Sequence, residues 1–336
     1  MMPSAPDVCG KRLGNGTTRP RTRAQSPPHV IDNSVYLCYA RIVADRTREA
    51  RKTALRHGDV VMEYRREGAG QSILFLHNGG TSSAIWRNQI AALHDRFDVT
   101  AVDLPGFGAS PKPPRALTLD DYAEIVAALV DDQELAPAVI VGNCMGSNIA
   151  YKVASARPET AAGIVLVNPL TERTFDAGRI GILHTMQSWA PFPTRAIRGL
   201  ARRLVPSKLA AREALRFELG PRGMSLGLHH DPELVACNCR SDQLPALVDI
   251  LDDMESYGSL DRVAGELDAI PVCTVLGTRN RVLSPKAMRV LSARLRPEQS
   301  FELEGCGHLA MLEDPEKVTE IIAEFASAHS TLARGK

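Results

Sequence analysis

Short apolar runs recur along the chain, separated by segments of mixed polarity. Ser72–Leu76, Val99–Val102, Ala138–Val141, Ala162–Val167 and Pro271–Leu276 are continuous rather than alternating. That is the pattern of strands buried on both faces. Between them, Leu119–Leu129 and Asn148–Ala154 carry apolar residues at three- and four-residue spacing and predict helices. Strands alternating with helices predict an α/β protein with a mostly parallel sheet and helices on both faces. Ahead of them, Asp59–Tyr64 and the Gly68–Gly70 segment predict a hairpin strand and a turn.

The alternation breaks after Asn168-Pro169. About a hundred residues of helical, Arg-rich sequence follow before the next strand. Residues 170–269 are therefore expected to form a helical cap over the carboxyl ends of the strands, with 58–169 and 270–336 as the core. Upstream, Val35, Cys38, Tyr39, Ile42 and Val43 recur at helical spacing and predict a helical extension over 29–57. It could cover the core, cap the substrate entrance or pair two copies as a homodimer. Residues 1–28 hold five Lys/Arg, several Pro and Gly and no apolar h-region, which predicts a disordered tail rather than a secretory signal.

Composition narrows the class. The 336 residues are 44% hydrophobic with a formal net charge of +1, so no charge bias points to nucleic acid or membrane. No apolar run approaches the ~18 residues of a membrane-spanning helix. Seven cysteines without framework spacing predict a reduced, cytoplasmic protein. Cys237 and Cys239 have no second pair to complete a zinc site, and no metal or cofactor is expected. Cys306 stands two residues before His308, either as loop packing or as a second thiol near the site.

The chemistry concentrates in Gly142-Asn143-Cys144-Met145-Gly146, between the strand 138–141 and the helix from 148. Strand, Gly-flanked turn and helix is the setting of a nucleophile elbow, with Cys where Ser is usual. Three further segments stand in order around it: His77-Asn78-Gly79-Gly80 with Trp86, Asp103-Leu104-Pro105-Gly106-Phe107-Gly108-Ala109-Ser110, and Gly305-Cys306-Gly307-His308. Together, over residues 58 to 330, they resemble the α/β-hydrolase superfamily. The first two are similar to the oxyanion loop and the following turn of capped members such as haloalkane dehalogenases, and the last to the catalytic-histidine loop. A Cys nucleophile is similar to dienelactone hydrolases and hydrolase-fold Dieckmann cyclases.

The resemblance implies Cys144 as nucleophile, His308 as base, and the backbone N–H groups of Gly79 and Met145 as the oxyanion hole. His77 is expected to brace the oxyanion loop. Asn78 and Asn143 flank the pocket as candidate substrate contacts. The family's acid positions fall on Asn168 and Asn280, both amides; Glu172 or Asp176 could reach in from the first cap turn. A thiol, with a free pKa of ~8.5, loses its proton more readily than serine does. Asn280, or Asn168, is therefore expected to accept a hydrogen bond from the His308 ring without supplying charge. The helix after Cys144 is expected to favour thiolate.

The function implied is acyl chemistry on a small-molecule ester or thioester in polyketide-like, secondary-metabolite tailoring. One alternative is a lyase similar to tetronate-tailoring enzymes, eliminating an acyloxy group such as acetate with His308 as general base. Another is a non-catalytic binding protein on the same fold. From Arg195 to Arg222, eight Lys/Arg face only Glu213 and Glu218, which suits an acidic acyl carrier protein or, equally, a solvated helix face.

Overall fold

The computed structural model describes residues 53–189, 191–263 and 267–330. The predicted tail over 1–28, and the helical extension up to residue 52 with its homodimer role, lie outside the described residues. The last five residues of that predicted extension are not helical. Thr53–His57 forms β1, which turns at Gly58 and pairs antiparallel with β2 (Val60–Glu67). Gly58 takes φ 59°, a conformation that glycine adopts at no steric cost.

The sheet continues with β3 (Ser72–Leu76), β4 (Asp98–Asp103), β5 (Ala138–Asn143), β6 (Ala161–Val167), β7 (Val272–Gly277) and β8 (Gln299–Leu303). The order is β1-β2-β4-β3-β5-β6-β7-β8, and every pair from β4 to β8 is parallel. The helices are α1 (Arg87–Leu93), α2 (Leu119–Asp132), α3 (Met145–Ala156), α4 (Glu172–Asp176), α5 (Ile182–Trp189), α6 (Pro191–Ala201), α7 (Lys208–Glu218), α8 (Pro221–Ser225), α9 (Pro232–Asn238), α10 (Gln243–Asp252), α11 (Met254–Tyr257), α12 (Pro285–Leu295), α13 (Ala310–Glu313) and α14 (Pro315–Ala328).

Side chains alternate across the strands, so continuous apolar runs serve two layers. Leu74, Leu76, Ile140, Ile164 and Leu166 share one core with Ile125 and Leu129 of α2 and Ile149 of α3. The intervening residues face the other layer. There Phe75 packs on Trp86 at 4.8 Å between ring centroids, and Phe325 of α14 closes on Gly163. Helices α4–α11 fill the interval between β6 and β7. Among the described residues no helix is long and apolar enough to cross a membrane.

Candidate active site

Strand β5 delivers Cys144 to a sharp turn. Cys144 takes φ 55° and ψ −113° and starts α3 with no side-chain cap. A side chain held in this region costs of order 1–3 kcal/mol and persists only where its surroundings enforce it. Here they do. Its N–H donates to Val167 O, and its carbonyl accepts from Ser147 N and Leu170 N. The flanking glycines permit the close packing: a Cβ on Gly142 would lie 2.2 Å from Gly146 backbone, and one on Gly146 2.5 Å from Leu76 O.

Beside the elbow, the 77–80 loop is braced internally. His77 donates from Nδ1 to Asn78 O at 2.7 Å and accepts at Nε2 from Leu104 N–H at 2.8 Å. Asn78 donates to Gly79 O and accepts from Thr81 Oγ1. Gly79 and Met145 both line the cavity in front of Cys144, and the Met145 N–H is directed at the Cys144 sulfur. The loop is roofed by α10, whose Gln243 donates to Gly80 O.

His308 sits on the loop after β8, buried, with Asn280 beside it. The contact is made by the Asn280 amide nitrogen, 3.1 Å from His308 Nδ1. The amide cannot be turned around, because its Oδ1 already accepts from Val282 N and Leu283 N at 3.0 Å each. Those two N–H groups would hold one oxygen of an aspartate, leaving the other to accept from the ring. With Asn there, the ring meets a donor instead, so Nδ1 must accept and the proton resides on Nε2. The expected hydrogen bond from ring to amide oxygen is thus reversed. Nε2 has no partner among the described residues. Burial pushes the His308 pKa down to about 3.

The other candidates are placed differently. Asn168 braces the histidine loop from behind: its Nδ2 donates to Gly307 O and His308 O, and its Oδ1 accepts from Gly277 N. Asn143 is fully buried and donates to His308 O rather than lining the cavity, so it is not placed to contact substrate. Glu172 gathers with Asp176 and His184, and His184 Nδ1 lies 2.8 Å from Asp176; neither carboxylate bonds to His308. Cys306 is buried and lies outside the cavity lining. The expected thiolate at Cys144 is not favoured. Burial pushes its pKa up to about 12, outweighing the Met145 N–H, because the helix terminus contributes less than desolvation takes away.

The cavity measures about 820 Å³ and is lined by Cys144, Met145, Gly79 and His308 among others. Leu170, Phe175, Phe217, Leu247 and Ile250 make most of its surface apolar. The cap's basic stretch is partly neutralised: Arg198 and Arg202 pair with Asp252 and Asp249, and Arg222 with Asp314. Sequence reasoning missed Glu218, the last residue of α7. It lines the same cavity, and its Oε2 is buried without a hydrogen-bond partner among the described residues. Its signal was present, as one of two acids in a basic stretch, but nothing in the spacing tied it to Cys144.

Residues 73–321 match the model of the alpha/beta hydrolase family. An uncharacterized protein of Mycobacterium bovis is 28% identical over 275 residues, covering 78% of this chain and 77% of its own length. A 2-(acetamidomethylene)succinate hydrolase of Mesorhizobium japonicum is 25% identical over 280 residues, covering 81% and 93%. Among solved structures, a thermophilic esterase from Thermogutta terrifontis superposes with a TM-score of 0.69 at 21% identity, over 84% of this chain and all of that one.

Proposed function

This chain belongs to the alpha/beta hydrolase family, and on that premise we propose that it transfers or releases the acyl group of an apolar ester or thioester through Cys144. One observation carries the reading: a non-glycine residue is held at φ 55° on a large, mostly apolar cavity that Met145 and Gly79 also line. Strain of this kind is retained where a side chain must be presented to a ligand. The substrate carbonyl oxygen sits between the N–H groups of Met145 and Gly79, which stabilise it as it becomes an oxyanion. Cys144 Sγ attacks the carbonyl carbon. His308, carrying its proton on Nε2, donates a hydrogen bond to the reacting acyl group.

The cavity's size and lining suit a long or branched apolar acyl chain, as in polyketide-like tailoring, delivered as a free ester or thioester or on an acyl carrier protein. The elimination reading has less support. It needs His308 as base, and the Asn280 amide opposes both Nδ1–H and an imidazolium by setting donor against donor. A series of p-nitrophenyl esters tests the proposal. kcat/KM should rise from acetyl to decanoyl, and Cys144→Ala should remove activity at every length. A flat series, or Cys144→Ala retaining over about a tenth of the rate, contradicts it.

A further inference from the structure

A thiol that attacks must lose its proton, and the His308 ring is not arranged to take it. Its Nε2 is a donor, and Nδ1 is engaged by Asn280. The other titratable side chains lining the cavity with Cys144 must therefore be considered, and among the described lining residues the one carboxyl is Glu218.

Its position is fixed by the cap. Ser207 caps the start of α7, and Leu215 and Ala211 bury its inner face. At the far end, the Glu218 carbonyl accepts the backbone N–H of His308 at 2.8 Å. A Cβ on Gly307 would meet Glu218 O and Gly220 N at 2.4 Å each, so the two backbones are in direct contact there. The side chain thus starts one hydrogen bond from the histidine loop and enters the cavity that Cys144 opens onto. Its Oε2 is buried and unpaired.

Unpaired buried carboxyl oxygens are costly and uncommon in structures, and a group that receives a proton during turnover is one reason for keeping one. The titratable groups around Glu218 are Cys144 on the elbow, His308 on the β8 loop and Glu313 of α13. No cation offsets it among the described residues: Arg216 pairs with Glu213 and Arg222 with Asp314. Glu313 is held by the backbone N–H groups of Gly220, Gly223 and Gly307.

We propose that Glu218 is the proton shuttle of this site, taking the Sγ proton of Cys144 as sulfur attacks and returning it to the departing group. This rests on Cys144 being the nucleophile. In acylation the S–H bond breaks and the S–C bond forms, and the proton joins the Glu218 carboxylate. When the C–O or C–S bond of the substrate breaks, the carboxylic acid protonates the departing oxygen or sulfur and becomes carboxylate again. Burial and Glu313 push the Glu218 pKa up to about 8, which places it near the operating pH of a proton shuttle.

Single-turnover acylation by p-nitrophenyl octanoate, read as nitrophenolate release and as an adduct on the intact full chain, tests this between pH 6 and 10. The unaltered protein should acylate faster as pH rises, levelling above about pH 8. Glu218→Gln, which preserves shape, should acylate roughly 10²-fold more slowly and lose the levelling near pH 8. Glu218→Asp should recover part of the rate. An adduct on Cys144 with Glu218→Gln within threefold of the unaltered rate, and the same pH profile, overturns the shuttle while leaving Cys144 as nucleophile. No adduct on the unaltered protein overturns both.

Discussion

Asn280 presents its amide nitrogen, not its oxygen, to His308 Nδ1, and the backbone N–H groups of Val282 and Leu283 lock it that way round. An aspartate at this position would keep both backbone contacts and accept from the ring. The amide therefore changes more than charge: it moves the ring proton from Nδ1 to Nε2.

Asn280→Asp should restore the usual arrangement. Nδ1 becomes a donor to carboxylate, Nε2 becomes an acceptor for the thiol proton, and His308 gains a partner for its charged form. Cys144 acylation should rise by roughly 10–10²-fold. This is less than the ~10⁴ lost when a serine triad loses its aspartate, because a thiol depends less on its base. Nitrogen-15 spectra of the ring should show the proton moving from Nε2 to Nδ1. An unchanged tautomer contradicts the hydrogen-bond assignment.

His308→Ala should slow acylation by roughly 10²–10³, the cost of removing one hydrogen-bond donor from a developing anion. Its effect should be nearly constant between pH 6 and 9, since burial holds the imidazole pKa down to about 3 and the ring stays neutral across that window. A loss that varies steeply with pH there would mean that His308 titrates as the base.

Glu218 also leaves a mark on stability. Its pKa is raised from the ordinary 4.5 to about 8 in the fold, so the folded state holds an extra proton between those pH values. Stability then falls as pH rises through that interval, because the unfolded state binds fewer protons there than the native one. Glu218→Gln removes the slope. Urea titrations should show the variant equal to the unaltered protein near pH 4, and more stable at pH 8 by on the order of 4 kcal/mol. Equal stabilities at both pH values would show that the carboxyl is well solvated.

Gly307→Ala should fail for a different reason. Its Cβ would meet Glu218 O and Gly220 N, both backbone atoms, so neither can rotate away. A loss of roughly 2–4 kcal/mol is expected, together with loss of acylation as the histidine loop and the end of α7 separate. A stable, active variant would mean that the cap is free to shift from the loop.

The sheet was legible because both its faces are covered. Continuous apolar runs such as Ala138–Val141 can be little else once Gly-rich turns bound them. Cys144, His308 and the Gly79–Met145 pair were legible because backbone geometry imposes their glycines. Other features left no such mark. The strand Thr53–His57 is half exposed and carries Arg and His, so its pairing with β2 does not show as an apolar run. Asn143 flanks Cys144 in sequence, but it ends β5 while Cys144 stands in the elbow turn at φ 55°, and the two side chains meet different surroundings. The sense of the Asn280–His308 contact depends on two N–H groups that no residue pattern reveals. Glu218 becomes a site residue only when α7 folds back onto the β8 loop.

Intact-protein mass after brief exposure to p-nitrophenyl octanoate decides whether Cys144 is the nucleophile. One octanoyl group should appear on the chain, map by peptide sequencing to Cys144, and be absent from Cys144→Ala. If the unaltered protein turns the ester over with no adduct and Cys144→Ala does so equally fast, Cys144 is not the nucleophile.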